Sequence, residues 1–395
     1  MLETYLPLLI LLLAVAALMR DDFSLTLIYL LVGVFGLSAW WSRRALGHVI
    51  LSRQFDAWAF LGEKVNIRLR LRNKGWLPVV WMRIQESLPV GLSSVPAFES
   101  VTTLGPREEI QVEYVLEARK RGCYPIGPLF ATSGDIFGLG GNAQLEGAVQ
   151  VLTVYPRIIP LTSIEIPSQS PQGTLRHTQP IFEDPTRIFG KRDYVAGDSL
   201  RRVDWKSTAA TGRMQVRLFE PSIALETLIF LNLNADDYYY QTRIDSTELA
   251  IVIAASVATW VARRQQTVGL KVNGRDALAA DSAPQYLPPR KGHAQLMRIL
   301  ETLARVEMTQ ESSFSAIIRQ QRYHLSWGTS LLVITGGADD PFLDELHQAR
   351  RAGQNVLLIL AGKAVRASEI SRRAGAYGIP VVSFYDERSL DLWRG

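Results

Sequence analysis

The residues of this chain with the strongest claim to chemistry lie in one run, DPTRIFGKRDYVAGDSLRRVDWKSTAATGRMQVRLFE, from Asp184 to Glu220. Between Arg187 and Arg217 it holds eight cations (Arg187, Lys191, Arg192, Arg201, Arg202, Lys206, Arg213, Arg217) and three anions (Asp193, Asp198, Asp204). The excess of five equals the formal charge of the whole chain, so the remainder is balanced. Guanidinium and carboxylate groups at this density either pair with one another, as a clamp across a seam between domains, or offer surplus donors to an acidic partner. Asp198, Asp204 and Trp205 suit the clamp, because a merely solvated charge run does not usually carry a buriable indole. Arg192, Arg201 and Arg213 suit recognition, because ion pairing uses only as many cations as there are anions. Tyr194 lies among them, and Gly197-Asp198 marks a turn between two short segments.

Chemistry of other kinds is not signalled. No G-x-x-x-x-G-K-[ST] run is present, which argues against nucleotide hydrolysis by the P-loop route, and Gly138-Leu139-Gly140-Gly141 precedes no helix. His48, His177, His293, His324 and His347 are scattered and form no zinc-ligand spacing, and there is no G-x-S-x-G elbow. The sequence therefore predicts a protein that is not an enzyme. A single cysteine, Cys123, forms no internal disulfide and gives no reason to place the chain in an oxidising compartment. A length of 395 residues, 47% of them apolar, suffices for more than one buried core.

The elements that must carry the basic run follow from periodicity. Leu2 to Met19 and Phe23 to Trp41 are two apolar stretches, each near the roughly 20 residues a helix needs to cross the hydrocarbon core. Only Arg20-Asp21-Asp22 joins them, so residues 1–44 read as a transmembrane helical hairpin rather than a cleaved signal peptide, which would need a basic start. Arg43, Arg44 and Arg53 follow the second span, and the positive-inside rule places the bulk of the chain in the cytoplasm. Residues 49–155 change to period two: Val65, Ile67, Leu69 and Leu71 alternate with polar residues, as do Ile110, Val112, Tyr114 and Leu116. Half-buried antiparallel strands in a β-sandwich are expected there, with the arginines of the first strand on its solvated face. Residues 156–220 read as a linker followed by the basic run. Residues 221–395 alternate apolar strands with helices, which predicts an α/β domain with a mostly parallel sheet. Strands are expected at Leu225 to Leu233, Thr267 to Asn273, Ser330 to Thr335, Val356 to Leu360 and Val381 to Phe384. Asp245 and Glu248 are expected to form a capping box for the first helix. Ligands of such sheets bind beyond the carboxyl ends of the strands, so the loops of interest are Asn232 to Tyr240 and Thr335 to Asp340.

RDYVAGDSLRRVDW followed by KSTAATGRMQVRLFE closely resembles the signature of the bacterial family called domain of unknown function 58. RGCYPIGP and DIFGL upstream add to the resemblance, which runs over most of the chain. Tyr194, Gly197, Asp198, Arg201, Asp204 and Trp205 match the family's recurrent positions; Ala210 stands where an arginine is common. The resemblance implies a C-terminal von Willebrand factor A-like, Rossmann-like domain, and an adaptor or assembly role beside an AAA+ ATPase of the MoxR type. In von Willebrand A domains a divalent metal is usually held by Asp-x-Ser-x-Ser, a Thr and a second Asp. Here Asn232, Asn234 and Asp236 occupy the first loop and Thr335 the later one, with glycine where the second Asp belongs. Such a degenerate site is expected to hold no Mg2+ and to need no cofactor. Asp236, Asp237, Tyr238, Tyr239 and Tyr240 suit a protein-binding face that has dispensed with the ion.

The function expected from all this is that of a membrane-anchored, cytoplasm-facing interaction protein. With the ATPase it would serve the assembly or maturation of envelope or other protein complexes. Three alternatives stay open. One is a module binding nucleic acid or another anion through the arginines beside Tyr194 and Trp205, although no nucleic-acid partner is expected. The others are an enzyme of the envelope and a purely structural scaffold.

Overall fold

The chain was analysed as a computed structural model, which describes residues 22–134, 143–162, 164, 183–195, 203–221, 226–277, 285–310, 313–326, 328–364 and 366–393. The first expected span, Leu2 to Met19, lies outside them, as do Gly197, Asp198, Arg201 and Arg202. The protein is a multidomain α+β chain with a β-rich N-terminal region and an α/β C-terminal region. Its contacts group into two units, Met1–Arg157 with Leu300–Val306, and Ile158–Ile299 with Glu307–Gly395.

The first unit opens with a 25-residue helix, α1 (Asp22–Leu46). Phe23, Tyr29, Leu30, Val32, Leu37 and Trp40 are exposed along it, whereas Ala45 and Leu46 at its end join the core of the β-rich unit. The Trp41 indole donates to the Pro78 carbonyl at 3.1 Å and ties that end down. Ten strands follow: β1 (Val49–Gln54), β2 (Trp58–Phe60), β3 (Lys64–Asn73), β4 (Val79–Ser87), β5 (Ala97–Leu104), β6 (Glu109–Glu117), β7 (Gly122–Ile126), β8 (Leu129–Ser133), β9 (Ala143–Gly147) and β10 (Gln150–Tyr155). They pair in the orders β1-β3-β6, β2-β10-β7 and β5-β4-β8-β9. The period-two pattern is obeyed residue by residue in β3, whose odd positions from Val65 to Asn73 are buried while its even ones face solvent. Its outward arginines pair across the strands, Arg68 with Glu113 at 3.2 Å and Arg72 with Glu109 at 3.9 Å. Opposite charges placed directly across an antiparallel ladder make this a solvated, charge-balanced face. Val65, Ile67, Leu69, Leu71, Met82, Ile84, Leu129, Leu152 and Val154 share one apolar core.

In the second unit, β11 (Glu183–Asp193) and β12 (Gln215–Pro221) form an antiparallel hairpin with α2 (Trp205–Thr211) between them. The described residues of the basic run, 184–195 and 203–220, thus belong to a hairpin, where the sequence reading had two short segments joined at a turn. Then come β13 (Glu226–Leu231), α3 (Arg243–Arg263), β14 (Thr267–Val272), the two-residue β15 (Arg275–Asp276), β16 (Gln285–Arg290) and α4 (His293–Arg305), whose residues from Leu300 on group with the first unit. The two-residue β17 (Val306–Glu307), α5 (Phe314–Arg322), β18 (Ser330–Thr335), α6 (Asp340–Arg351), β19 (Asn355–Ala361), α7 (Ala367–Ala376) and β20 (Val381–Phe384) complete the order. Six strands form one sheet in the order β16-β14-β13-β18-β19-β20, parallel except for β16. All six residues of β18 and all seven of β19 are buried, as expected of strands covered on both faces.

Two features depart from the sequence reading. The edge strand β16, YLPP within it, was not expected, because proline is poor in strands; it is tolerated here because an edge strand has one side free of ladder bonds. Helix α3 starts at Arg243, with Thr242 at its N-cap and no side-chain cap bond, so Asp245 and Glu248 form no capping box. Asp245 sits in the first turn, where its charge complements the helix dipole. This helix has the length and hydropathy of a membrane span among the described residues, but 15 of its 21 residues are buried, and it packs on β13, β14, β18 and β19.

Candidate functional site

Among the described residues, two places in the second unit bring together the polar residues that the sequence singled out. In the hairpin, Lys191 lies directly opposite Arg217. Like charges facing each other across a ladder are destabilising. Asp204 relieves them: its Oδ2 is 2.9 Å from Lys191 Nζ and 3.6 Å from Arg217 Nε. The same residue caps α2, its Oδ1 accepting the Ser207 N–H at 3.2 Å, and Gly212 closes the helix at φ 67°. Asp204 N–H donates to the Gln215 carbonyl at 2.8 Å, and Gln215 N–H donates to Thr208 Oγ1 at 3.0 Å. The lysine hydrogen bond, reinforced by the Ser207 N–H and the Arg217 charge, holds the Asp204 carboxyl down at about 2.

The clamp expected across a seam between domains is therefore a clamp within one hairpin, made by Asp204 with Lys191 and Arg217. Trp205 corrects the other half of that expectation. Its indole is 65% exposed at the first position of α2, where the helix buries no residue. Lys206 and Arg213 are exposed, and Arg192 and Tyr194 are half-buried. A testable consequence concerns the carboxyl itself. NMR titration of Asp204 is expected to give a midpoint near 2, against an ordinary value of 3.8. Because the folded value is depressed, the contribution of this group to hairpin stability is present above the unfolded value and is lost as pH falls from about 4 through about 2. Lys191→Met should move the midpoint back toward the ordinary value; an unmoved midpoint would mean that the lysine is not what holds it.

The second place lies where β13 and β18 run side by side and the chain leaves them in opposite directions across the sheet, the topological switch point at which such folds take ligands. Asn232 follows β13 and is 2% exposed. Its Oδ1 accepts from the Asn234 backbone N–H at 3.0 Å and from Asn273 Nδ2 at 2.8 Å. Its Nδ2 donates to Asp237 Oδ2 at 2.7 Å and to Thr335 Oγ1 at 3.0 Å. Thr335 in turn donates to the Gly337 carbonyl at 2.7 Å. Asn234 Nδ2 donates to the same Asp237 oxygen at 3.2 Å, while Asn234 Oδ1 is buried and meets no donor among the described residues. Asn273 Oδ1 accepts from Leu233 N–H at 2.6 Å, and the Tyr238 hydroxyl donates to the Asn232 carbonyl at 2.6 Å. Burial pushes the Asp237 carboxyl up, helped by the charges of Asp339 and Asp236, while the two asparagine donors pull it down. Burial and the neighbouring Asp237 push the Tyr238 phenol up.

Of the four loop residues read from sequence, the structure gathers Asn232, Asn234 and Thr335 and leaves Asp236 exposed on the short 3-10 turn. The carboxylate at the centre is Asp237. Asn273 was missed; the available signal was an uncharged polar residue at the carboxyl end of the strand next to β13. Tyr238, expected as an exposed anchor, is buried at 5%, Tyr239 is half-buried, and Tyr240 is 76% exposed. The glycine that stands in place of a second Asp also has a steric reason. A Cβ on Gly336 would press into the Tyr238 ring, 2.6 Å from its Cγ. These residues do not fit a hard divalent cation. The group aimed between Asp237 and Thr335 is an amide NH2, a donor where the ion would need oxygen ligands. Among the described residues no cluster of three His, Cys, Asp or Glu side chains is placed to hold a metal.

Fold and site together define a doubly wound α/β domain with a polar network centred on Asn232 at its switch point, on the same chain as a β-rich unit and a basic hairpin. Residues 190–359 match the family described as protein of unknown function DUF58, the family whose signature the basic run resembles. The uncharacterized protein YeaD of Bacillus subtilis (strain 168) is 22% identical over 317 residues, covering 78% of this chain and 75% of that one. Among solved structures, an aerotolerance-related membrane protein from Bacteroides fragilis NCTC 9343 is 13% identical at a TM-score of 0.33, covering 43% of this chain and 94% of that one. The CARDB domain of the PF1109 protein from Pyrococcus furiosus, in complex with di-metal ions, is 13% identical at a TM-score of 0.20 and covers 27% and 91%. Neither TM-score is high enough to bear on function.

Proposed function

We propose that this chain is a membrane-anchored, cytoplasm-facing adaptor that binds a protein partner and performs no chemistry of its own. The observation that carries the reading is the switch point. Where an α/β enzyme keeps a cleft with reactive groups, Asn232, Asn273, Asp237 and Thr335 bond to one another, and Tyr240 stands exposed on the same loop. Exposed aromatic residues and arginines are the preferred anchors of protein interfaces, and Trp205 with Arg213 supplies a second such pairing on the hairpin. The strand order, with its single antiparallel edge strand, supports a von Willebrand factor A-like reading of the α/β domain. Helix α1, with its row of exposed apolar residues followed by Arg43 and Arg44, supports anchoring in a bilayer with the arginines on the cytoplasmic side. The partner proposed is an AAA+ ATPase of the MoxR type, which would do the ATP chemistry that this chain has no P-loop to perform, in the assembly of envelope or other complexes.

The test is direct binding of a purified MoxR-type ATPase to the full-length chain in nanodiscs. Wild type is expected to bind, and Arg213→Glu with Trp205→Ala to weaken binding roughly tenfold or more. Equal binding by the variant would remove the hairpin from the interface, and no binding by either would overturn the reading.

A further inference from the structure

We infer that the Asn232 side-chain amide is a built-in replacement for a divalent cation, bridging Asp237 and Thr335 with no metal between them. Three observations lead there. First, the orientation of the amide is forced. A backbone N–H can only donate, so the end of Asn232 that meets the Asn234 N–H at 3.0 Å is the oxygen, and the NH2 is left facing Asp237 and Thr335. Second, that NH2 bridges a carboxylate oxygen at 2.7 Å and a threonine hydroxyl oxygen at 3.0 Å, two oxygens of the kind a hard cation takes as ligands. The Thr335 hydroxyl proton is directed at the Gly337 carbonyl, which leaves its oxygen to accept. Third, Asn232 is locked from behind: Asn273, 1% exposed, holds its oxygen, and Tyr238 donates to its carbonyl. A neutral donor thus does what an ion does elsewhere, without the cost of dehydrating one.

The inference concerns the chain's own residues and stands whether or not the adaptor reading is right. Where that reading holds, docking at this face does not depend on metal. A single substitution exposes the exchange. Asn232→Asp would put a second carboxylate oxygen against Asp237 and Thr335, with the donor-less Asn234 Oδ1 beside them, an all-oxygen set suited to Mg2+ or Mn2+.

The experiment uses the full-length chain in detergent, with Mn2+ binding followed by electron paramagnetic resonance and thermal unfolding measured in Mg2+ and in EDTA. Wild type is expected to bind no Mn2+ at this site and to unfold at the same temperature in both solutions. Asn232→Asp is expected to bind Mn2+ at least roughly tenfold more tightly than wild type and to melt higher in Mg2+ than in EDTA. Asn232→Ala, which removes the donor without adding an oxygen, should gain no Mn2+. Tight Mn2+ binding by wild type that is lost in Asp237→Asn would overturn the inference. So would a folded Asn232→Asp protein indifferent to both ions. Should Asn232→Asp fail to fold even in Mg2+, the wild-type titration with its Asp237→Asn control decides.

Discussion

Glu86→Ala is expected to destabilise the β-rich unit by about 3–5 kcal/mol, because it leaves a guanidinium buried without its counter-charge. The Arg53 side chain is 3% exposed and that of Glu86 is fully buried, and the two are ion-paired. Arg53 Nη1 also donates to the carbonyls of Ile126 at 3.1 Å and Ala148 at 3.0 Å, and the Tyr114 hydroxyl donates to Glu86 Oε2 at 2.5 Å. Burial pushes the Glu86 carboxyl up, opposed by the Tyr114 hydrogen bond and the Arg53 charge; the Tyr114 phenol is driven up by its own burial and by Glu86. Removing the carboxylate leaves Arg53 without its counter-charge and the Tyr114 hydroxyl without its acceptor. Replacing the pair together, as Arg53→Met with Glu86→Leu, should recover most of the loss, since an apolar pair has no desolvation to offset. Denaturant unfolding followed by tryptophan fluorescence tests this, with Trp58, Trp76 and Trp81 reporting on that unit. A midpoint for Glu86→Ala within error of wild type would show that water reaches Arg53 and that the network is not closed.

Gly336→Asp is the second large effect, expected at about 3 kcal/mol, the upper end of what overpacking a core usually costs. The reason is the Tyr238 ring, which lies where a side chain on residue 336 would have to start. Tyr238 cannot withdraw cheaply, because its hydroxyl donates to the Asn232 carbonyl and it is 5% exposed. The added carboxylate would also be a further negative charge in a region where Asp237 already has Asp339 and Asp236 against it. Gly336→Ala isolates the steric part, and Tyr238→Ala with Gly336→Ala should lose less than the sum of the two single changes. Additive losses would mean that the ring and the glycine do not compete for one space. Position 336 is, in this chain, given over to packing against Tyr238.

What the sequence by itself determined is what short-range periodicity carries. The alternation from Val65 to Leu71 sets the inward face of β3, and apolar runs separated by amphipathic stretches set the parallel strands; Ser330–Thr335 and Val381–Phe384 fall where they were expected. The basic run was equally plain, because charge is read by counting, and so was the loop after β13, because strand ends in such a sheet are where ligands bind. Tertiary structure decided what depends on residues far apart in the chain. Asn232 meets Thr335 across 103 positions and Asn273 across 41, so no local pattern distinguishes Asp237 from Asp236 or marks Asn273 as part of the site. Three consecutive tyrosines look alike in sequence, yet a turn of 3-10 helix buries Tyr238 and exposes Tyr240. Asp204 was legible as one half of an ion pair. Its partners became known only when β11 was laid beside β12 and set Lys191 opposite Arg217, two like charges that require an acid between them.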